Sequence, residues 1–199
     1  MQLSDREITI LCQRDINNWQ SRGMITPFTD TSESPMLGDK KLPSYGLSSY
    51  GYDVRVGTSF KLLKPQEICG GRPISPIDNN DDDYVDIEAT NGCLTIPPHG
   101  FVLGHTREYF RIPRKVLVVC MGKSTYARLG LIVNVTPLEP EWEGNVVIEI
   151  SNTTNRAVNI FTEGGIAQFI FFWNERGCET SYADRKGKYQ GQRGVTTAR

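Results

Sequence analysis

Histidine is nearly absent from this chain of 199 residues, which has only His99 and His105. A hydrolytic triad or a histidine-based metal centre therefore has little to draw on. Cysteine is scattered. Cys12, Cys69, Cys93, Cys120 and Cys178 are odd in number and far apart, which argues against a disulfide framework and for a reducing compartment. Neither sign of charge is in excess. The 22 Lys and Arg residues face 23 Asp and Glu, giving a net charge of −1. No global basic field points to nucleic acid as a partner. No apolar run approaches the ~20 residues of a membrane-spanning helix. The N-terminus lacks a basic region followed by an apolar one, so no secretory signal is expected. The expectation is a cytoplasmic protein with no membrane or nucleic-acid partner, of a length that fits one domain with its own core.

What is present reads mostly as strand. Only the start is helical: Ser4 and Glu7 form a capping box, Leu3 and Ile8 a hydrophobic staple, and Ile8, Leu11, Cys12, Ile16 and Trp19 recur at helical spacing. Gly23 is a plausible helix stop, and the β-branched Ile8-Thr9-Ile10 run leaves room for a second helix from about Arg14. Residues 28–45 mix Pro, Ser, Gly and charge without apolar period and read as a loop or arm. In Gly51–Val56, Tyr52, Val54 and Val56 alternate as one strand face, and Asp53 with Arg55 on the other face reads as an ion pair. Short β segments are expected at 59–63, 84–89, 93–96, 100–106, 115–120, 131–136, 144–151, 157–162 and 165–173. The acidic run Asp78–Asp83 reads as a solvated surface. From Ser181 to Arg199 the chain has too few apolar residues for core. Its glycines, Lys, Arg, Gln and Tyr suit either a frayed end or a flap over a polyanion.

Gly122–Asn152 carries the chemistry. A turn, Gly122-Lys123-Ser124-Thr125-Tyr126-Ala127-Arg128, combines cations with hydroxyls, and a later strand holds one acid, Glu149, among Val147, Ile148 and Ile150. The turn is no Walker loop, because that motif needs a glycine where Leu117 stands. Lys123, Ser124 and Arg128 can still serve an anion nest. A zinc deaminase needs His-x-Glu and Pro-Cys-x-x-Cys, and neither occurs. Glu149 shares a strand face with Val147. It is either a surface acid or, if pocketed, a proton carrier with a raised pKa.

Together Gly46–Arg55, Gly122–Asn152, Gly165–Gln168, Ser181–Arg185 and Lys188–Gly194 resemble, in order, the signatures of the dCTP deaminase family within the dUTPase-like superfamily. The resemblance implies one mainly β domain over residues 1–199, a distorted β-barrel. Residues 1–45 would form its N-terminal helix and loop, and 181–199 a flexible C-terminal flap. It implies a homotrimer with shared active sites and zinc-free hydrolysis of dCTP to dUTP and ammonia for pyrimidine deoxynucleotide synthesis. Mg²⁺ would arrive with the triphosphate, and dTTP would be a feedback inhibitor. Glu149 would be the general base and acid, aided by Ser124 and Arg128. Lys123, Ser124, Thr125, Tyr126, Ala127 and Arg128 would hold substrate, as would Val147, Ile148, Glu149, Gln168, Tyr182, Lys188 and Gln192. Two alternatives stay open: a dUTPase or bifunctional deaminase–dUTP diphosphatase, and a non-catalytic nucleotide sensor. The short Thr136–Trp142 connection lacks the Asp of dUTPases, although Glu139, Glu141 or Glu143 could stand in for it.

Overall fold

Two long antiparallel strands, β10 (Phe101–Arg111) and β13 (Glu143–Asn152), form the spine of the molecule. The structure is a computed structural model that describes residues 1–13, 23–78 and 81–198. Along β13 burial alternates residue by residue: Val146, Ile148 and Ile150 point into the core, while Asn145, Val147 and Glu149 face outward. Burying each of those Val and Ile side chains contributes about 1.5–3 kcal/mol. A slip of one residue would reverse all of them, so the register is firmly set.

The remaining elements follow in order. They are α1 (Asp5–Cys12), β1 (Ile25–Thr26), β2 (Ser32–Glu33), β3 (Met36–Leu37), β4 (Lys40–Lys41), β5 (Tyr45–Ser48), β6 (Gly51–Arg55), β7 (Ser59–Leu63), β8 (Tyr84–Glu88) and β9 (Cys93–Ile96). After β10 come β11 (Val116–Gly122), the single turn α2 (Ser124–Ala127), β12 (Leu131–Asn134), then β13, β14 (Val158–Phe161) and β15 (Gly165–Trp173). One sheet runs β12-β13-β10-β7-β8, with β1 added on β10, and the other runs β11-β15-β6-β5-β2. Phe110 of the first meets Phe169 of the second with ring centroids 5.0 Å apart. Leu94, Ile96, Val158 and Ile160 of the β9–β14 pair join the same core. The mainly β class with an N-terminal helix stands, and each expected segment from 59 onward has a matching strand. Among the described residues the two sheets are not closed into one barrel by hydrogen bonds.

Several expectations need correction. The 28–45 region is not featureless: β2 pairs with β5, and β3 with β4. The segment expected to end at 106 continues to Arg111 because a bulge between His105 and Tyr109 absorbs Thr106, Arg107 and Glu108. At the N-terminus, Glu7 accepts from the Ser4 amide at 2.8 Å, and Leu3 and Ile8 are buried, as the box and staple require. The helix ends at Cys12, and Gly23 packs against that end: a Cβ there would lie 2.1 Å from the Cys12 carbonyl oxygen. Ile16, Trp19 and a helix from Arg14 fall outside the described residues.

Candidate active site

Glu149 stands on the outward face of its sheet. Cross-strand register places Asn134, Glu149, Leu103, Lys61 and Asp86 in one row over five strands. Leu103 is buried, so the carboxylate has an apolar neighbour on one side. On the other side Asn134 Nδ2 donates to Glu149 Oε2 at 2.6 Å. Burial holds the Glu149 pKa above the ordinary carboxylate range, and the Asn134 bond, which favours the charged form, pulls the other way. Its charge also reaches Cys120 and Tyr84. Burial chiefly, and Glu149 secondarily, pushes the Cys120 thiol up to about 12, so Cys120 stays protonated and is not a nucleophile. Burial, then Asp83 and Glu149, raises Tyr84. The result is a half-buried acid with one oxygen fixed.

The cationic turn follows β11 directly. Its amides cap a single helical turn, with Tyr126 N and Ala127 N donating to Lys123 O at 3.0 and 3.1 Å. The first amides of such a turn have no intrahelical partner and suit an anion. Ser124, Thr125, Ala127 and Arg128 are exposed, and Arg128 Nη1 reaches back to Ser124 O at 3.3 Å. Lys123 is less free than expected, because its Nζ lies 2.5 Å from Asp53 Oδ2. An ammonium has three donors, so this one pair does not exhaust it. Asp53 is itself buried, which raises its pKa against the lowering effect of Lys123. Asp53 and Arg55 therefore do not pair with each other. Arg55 Nε instead meets Glu108 at 2.9 Å and stacks on the Tyr45 ring at 4.0 Å. Glu108 is fully buried, and burial raises its pKa while Arg55 opposes the rise.

The other expected ligand residues divide. Tyr126 is buried, and its hydroxyl accepts from Phe161 N at 3.3 Å. The Ile148 side chain is also in the core. Both have only backbone to offer a ligand. Val147 shares the outward face with Glu149. Gln168 lies opposite Asp53 on the outward face of the other sheet, where its Nε2 donates to Ser48 Oγ at 3.0 Å. Within one chain, Gln168 and Glu149 thus occupy outward faces of different sheets, and no direct bond links Glu149 to Ser124 or Arg128 among the described residues.

The tail has a course of its own. Tyr182 N donates to Pro140 O at 3.0 Å, and its hydroxyl accepts from Tyr189 N at 3.0 Å. Gln192 forms a parallel bridge beside Gly144, and its Nε2 donates to Asn145 O at 2.8 Å. The tail therefore runs along the start of β13, and Asn145 lies four residues, about 13 Å along the strand, from Glu149. Lys188 is exposed, with its Nζ 5.0 Å from the Tyr189 ring. Further along, Val195, Thr196 and Thr197 line a cleft of about 660 Å³ with Lys61, Asp78 and Asp81. Lys61 belongs to the same cross-sheet row as Glu149. Among the described residues no three His, Cys, Asp or Glu side chains stand close enough to hold a metal ion.

Sequence reasoning missed Asn134 and Glu108 as partners and set Asp53 against Arg55 instead of Lys123. Asn134 is legible only once β12 is set against β13, which no short turn specifies. Glu108 was hidden by the bulge.

A family model for dCTP deaminase-like proteins matches residues 4–173. The chain is 51% identical over 177 residues to the dCTP deaminase of Acinetobacter baumannii (strain AYE), spanning 89% of this chain and 91% of that protein. It is 51% identical over 177 residues, with the same shares covered, to the dCTP deaminase of Pseudomonas aeruginosa (strain UCBPP-PA14). Among solved structures, the 2'-deoxycytidine 5'-triphosphate deaminase from Agrobacterium tumefaciens superposes with a TM-score of 0.59 at 13% identity, over 87% of this chain and 48% of that one. The chain spans about half the length of that structure, and the likeness speaks for the fold alone.

Proposed function

Because the chain belongs to the dCTP deaminase-like family, we propose that it hydrolyses dCTP to dUTP and ammonia, with Glu149 as proton carrier and without catalytic zinc. The observation that carries this reading is Glu149 itself. It is a half-buried carboxylate on an outward strand face, with its pKa raised by burial and one oxygen tied to Asn134. A carboxylate whose pKa is raised by burial is a stronger base than an ordinary one and takes a proton more readily. Glu149 removes a proton from water as its oxygen bonds to cytosine C4. It passes that proton to ring N3, takes a second from the C4 hydroxyl so formed and hands it to the amino group; the C4–N bond breaks as the C4 carbonyl forms, and ammonia leaves. Atoms balance as dCTP plus water giving dUTP plus ammonia.

Ser124 and Arg128 position water and substrate, and the exposed amides and cations of the 123–128 turn take the phosphates. Mg²⁺ arrives on the triphosphate oxygens as part of the substrate. Gln168, Tyr182, Lys188 and Gln192 close over sugar and phosphates. A homotrimer unites groups that one chain holds on different faces. The outward face of β11 and β15, where Leu117, Met121 and Phe172 are exposed, offers apolar surface for such packing. dTTP fits the same sugar and phosphate contacts while lacking the reactive amine, so it would inhibit by occupancy. The cytoplasm, as a reducing compartment, suits five free cysteines.

Incubating the protein with dCTP and Mg²⁺, and resolving nucleotides, ammonia and pyrophosphate, tests this. dUTP with ammonia is the expected result. dUMP with pyrophosphate would make the protein a diphosphatase as well, and binding without product would leave a sensor.

A further inference from the structure

The loop between β10 and β11 holds a residue that the catalytic reading does not use. Arg114 directs its two terminal nitrogens to opposite sides. Nη1 donates to Glu141 Oε2 at 2.7 Å, on the short connection before β13. Nη2 donates to the Glu179 carbonyl at 2.7 Å and to Asp184 Oδ2 at 2.8 Å, both at the base of the tail. Asp184 is itself fixed. Its Oδ2 accepts from Ser181 N at 3.0 Å, and its own amide donates to Ser181 Oγ at 3.1 Å. The backbone around Arg114 is committed as well. Ile112 exchanges bonds with Trp142 and Glu141, at 2.9 Å each, and the Cys178 thiol reaches Arg114 O at 3.8 Å. Arg185 adds a second pair across the same seam, to Glu139.

We propose that Arg114 is a positioning residue whose guanidinium pins the base of the C-terminal tail to the Glu139–Glu141 connection, setting where residues 181–192 lie along β13. The inference rests on the reading that Tyr182, Lys188 and Gln192 contact substrate. Beyond the pin, the tail is tied to the start of β13 by backbone bonds and by the Gln190 and Gln192 amides, which donate to Glu141 O at 2.9 Å and to Asn145 O at 2.8 Å. Gly191 N donates to Glu143 O at 2.8 Å, and Asn145 N to Gln192 O at 3.0 Å. Trp142 Nε1 adds a bond to Tyr189 O at 3.1 Å. Their alignment depends on how the chain leaves Ser181. A planar fork can serve acceptors on two elements at once, whereas a lysine ammonium is a point charge on a flexible stem. A single exposed ion pair does little, but several acceptors converging on one guanidinium form a network. Arg114 is part-exposed, so replacing it leaves no buried hole.

The test compares Arg114→Ala and Arg114→Lys with the parent in the full-length protein. Amide hydrogen exchange is followed over 181–192 and over 146–150, and kcat and KM are measured with dCTP. In the alanine variant, exchange over 181–192 should quicken by about tenfold while 146–150 is unchanged. KM should rise about three- to tenfold with kcat within about twofold. The lysine variant should recover only part of both. Unchanged exchange over 181–192 would overturn the proposal, whatever the kinetics. Faster exchange there with an unchanged KM would uphold the pin and instead refute the assignment of the tail to substrate. Faster exchange throughout 146–150 would make Arg114 a general structural residue and also overturn the proposal.

Discussion

Replacing Glu149 by glutamine separates what the carboxylate does for the reaction from what it costs the fold. The amide has nearly the carboxylate's shape, and its carbonyl can still accept the Asn134 bond that Oε2 now receives at 2.6 Å. β13 therefore keeps its register. The amide neither takes nor returns a proton. A positioned general base supplies about 10²–10⁴-fold, and Glu149 is assigned both proton uptake and delivery, so kcat should fall by about 10³-fold or more. dCTP affinity by calorimetry should stay within about threefold, since the loss is confined to the transition state. Stability should move the other way. Burial raises the Glu149 pKa, so the folded state holds this proton more tightly than the unfolded chain does. Stability is therefore lost as pH rises from the ordinary carboxylate range through the raised folded value. Glutamine does not titrate and escapes that loss. Urea unfolding near neutral pH should find Glu149→Gln at least as stable as the parent, with the gap closing as pH falls below the ordinary carboxylate range. Wild-type-like turnover would remove Glu149 from the proton path. A variant clearly less stable at neutral pH would show that the carboxylate serves the fold instead.

Three further outcomes follow from the same contacts. Truncation before Tyr182 should weaken dCTP binding by about tenfold or more while the sheets stay folded. Its melting temperature should drop by a few degrees as Trp142 loses cover, and unaltered affinity would end the flap reading. Arg55→Met leaves Glu108 buried without its guanidinium and should cost about 3–5 kcal/mol in urea unfolding, much of it recovered by adding Glu108→Leu. A cost below about 1 kcal/mol would mean that Glu108 is already neutral. Turnover should cease on removing Mg²⁺ and return on adding it, with no effect from a zinc-selective chelator; a requirement for added zinc would refute the mechanism.

The strands were legible because their side chains alternate and glycine and proline punctuate them. β13 is the clearest case, since Val146, Ile148 and Ile150 announce one face and Glu149 the other. The turn at 123–128 was legible from residue chemistry alone. Pairings were not. Asp53 and Arg55 look like partners because alternation puts them on one face, yet each finds a nearer opposite charge from another element, Lys123 after β11 and Glu108 in the bulge. Sequence gives the face of a residue but not what a distant segment lays across it. The same limit applies to Tyr126 and Ile148. A motif groups them with neighbours expected to face a ligand, and the backbone then turns their side chains into the core. Asn134 was missed because the link between β12 and β13 has no turn type that fixes register.

That link also bears on whether the protein cleaves dUTP. A diphosphatase would need a carboxylate there to orient water at a phosphate, and the connection offers only Glu139, Glu141 and Glu143. Each already faces an arginine: Glu139 meets Arg185, Glu141 meets Arg114 at 2.7 Å, and Glu143 lies 3.9 Å from Arg111. Leu138, just before them, is buried and exchanges backbone bonds with Val118 at 3.0 and 3.1 Å, which holds the connection down on β11. Glu139 and Glu141 pair with the arginines that seat the tail, Arg185 and Arg114, while Glu143 opens β13 and faces Arg111 of β10. Freeing Glu139 or Glu141 for water would mean giving up an arginine and loosening the tail that is proposed to close on the substrate. Incubation with dUTP and Mg²⁺ should therefore release no pyrophosphate. Its release at a rate comparable to ammonia production from dCTP would show that one of these glutamates leaves its arginine during turnover, and the reading of the connection as a seat for the tail would fall.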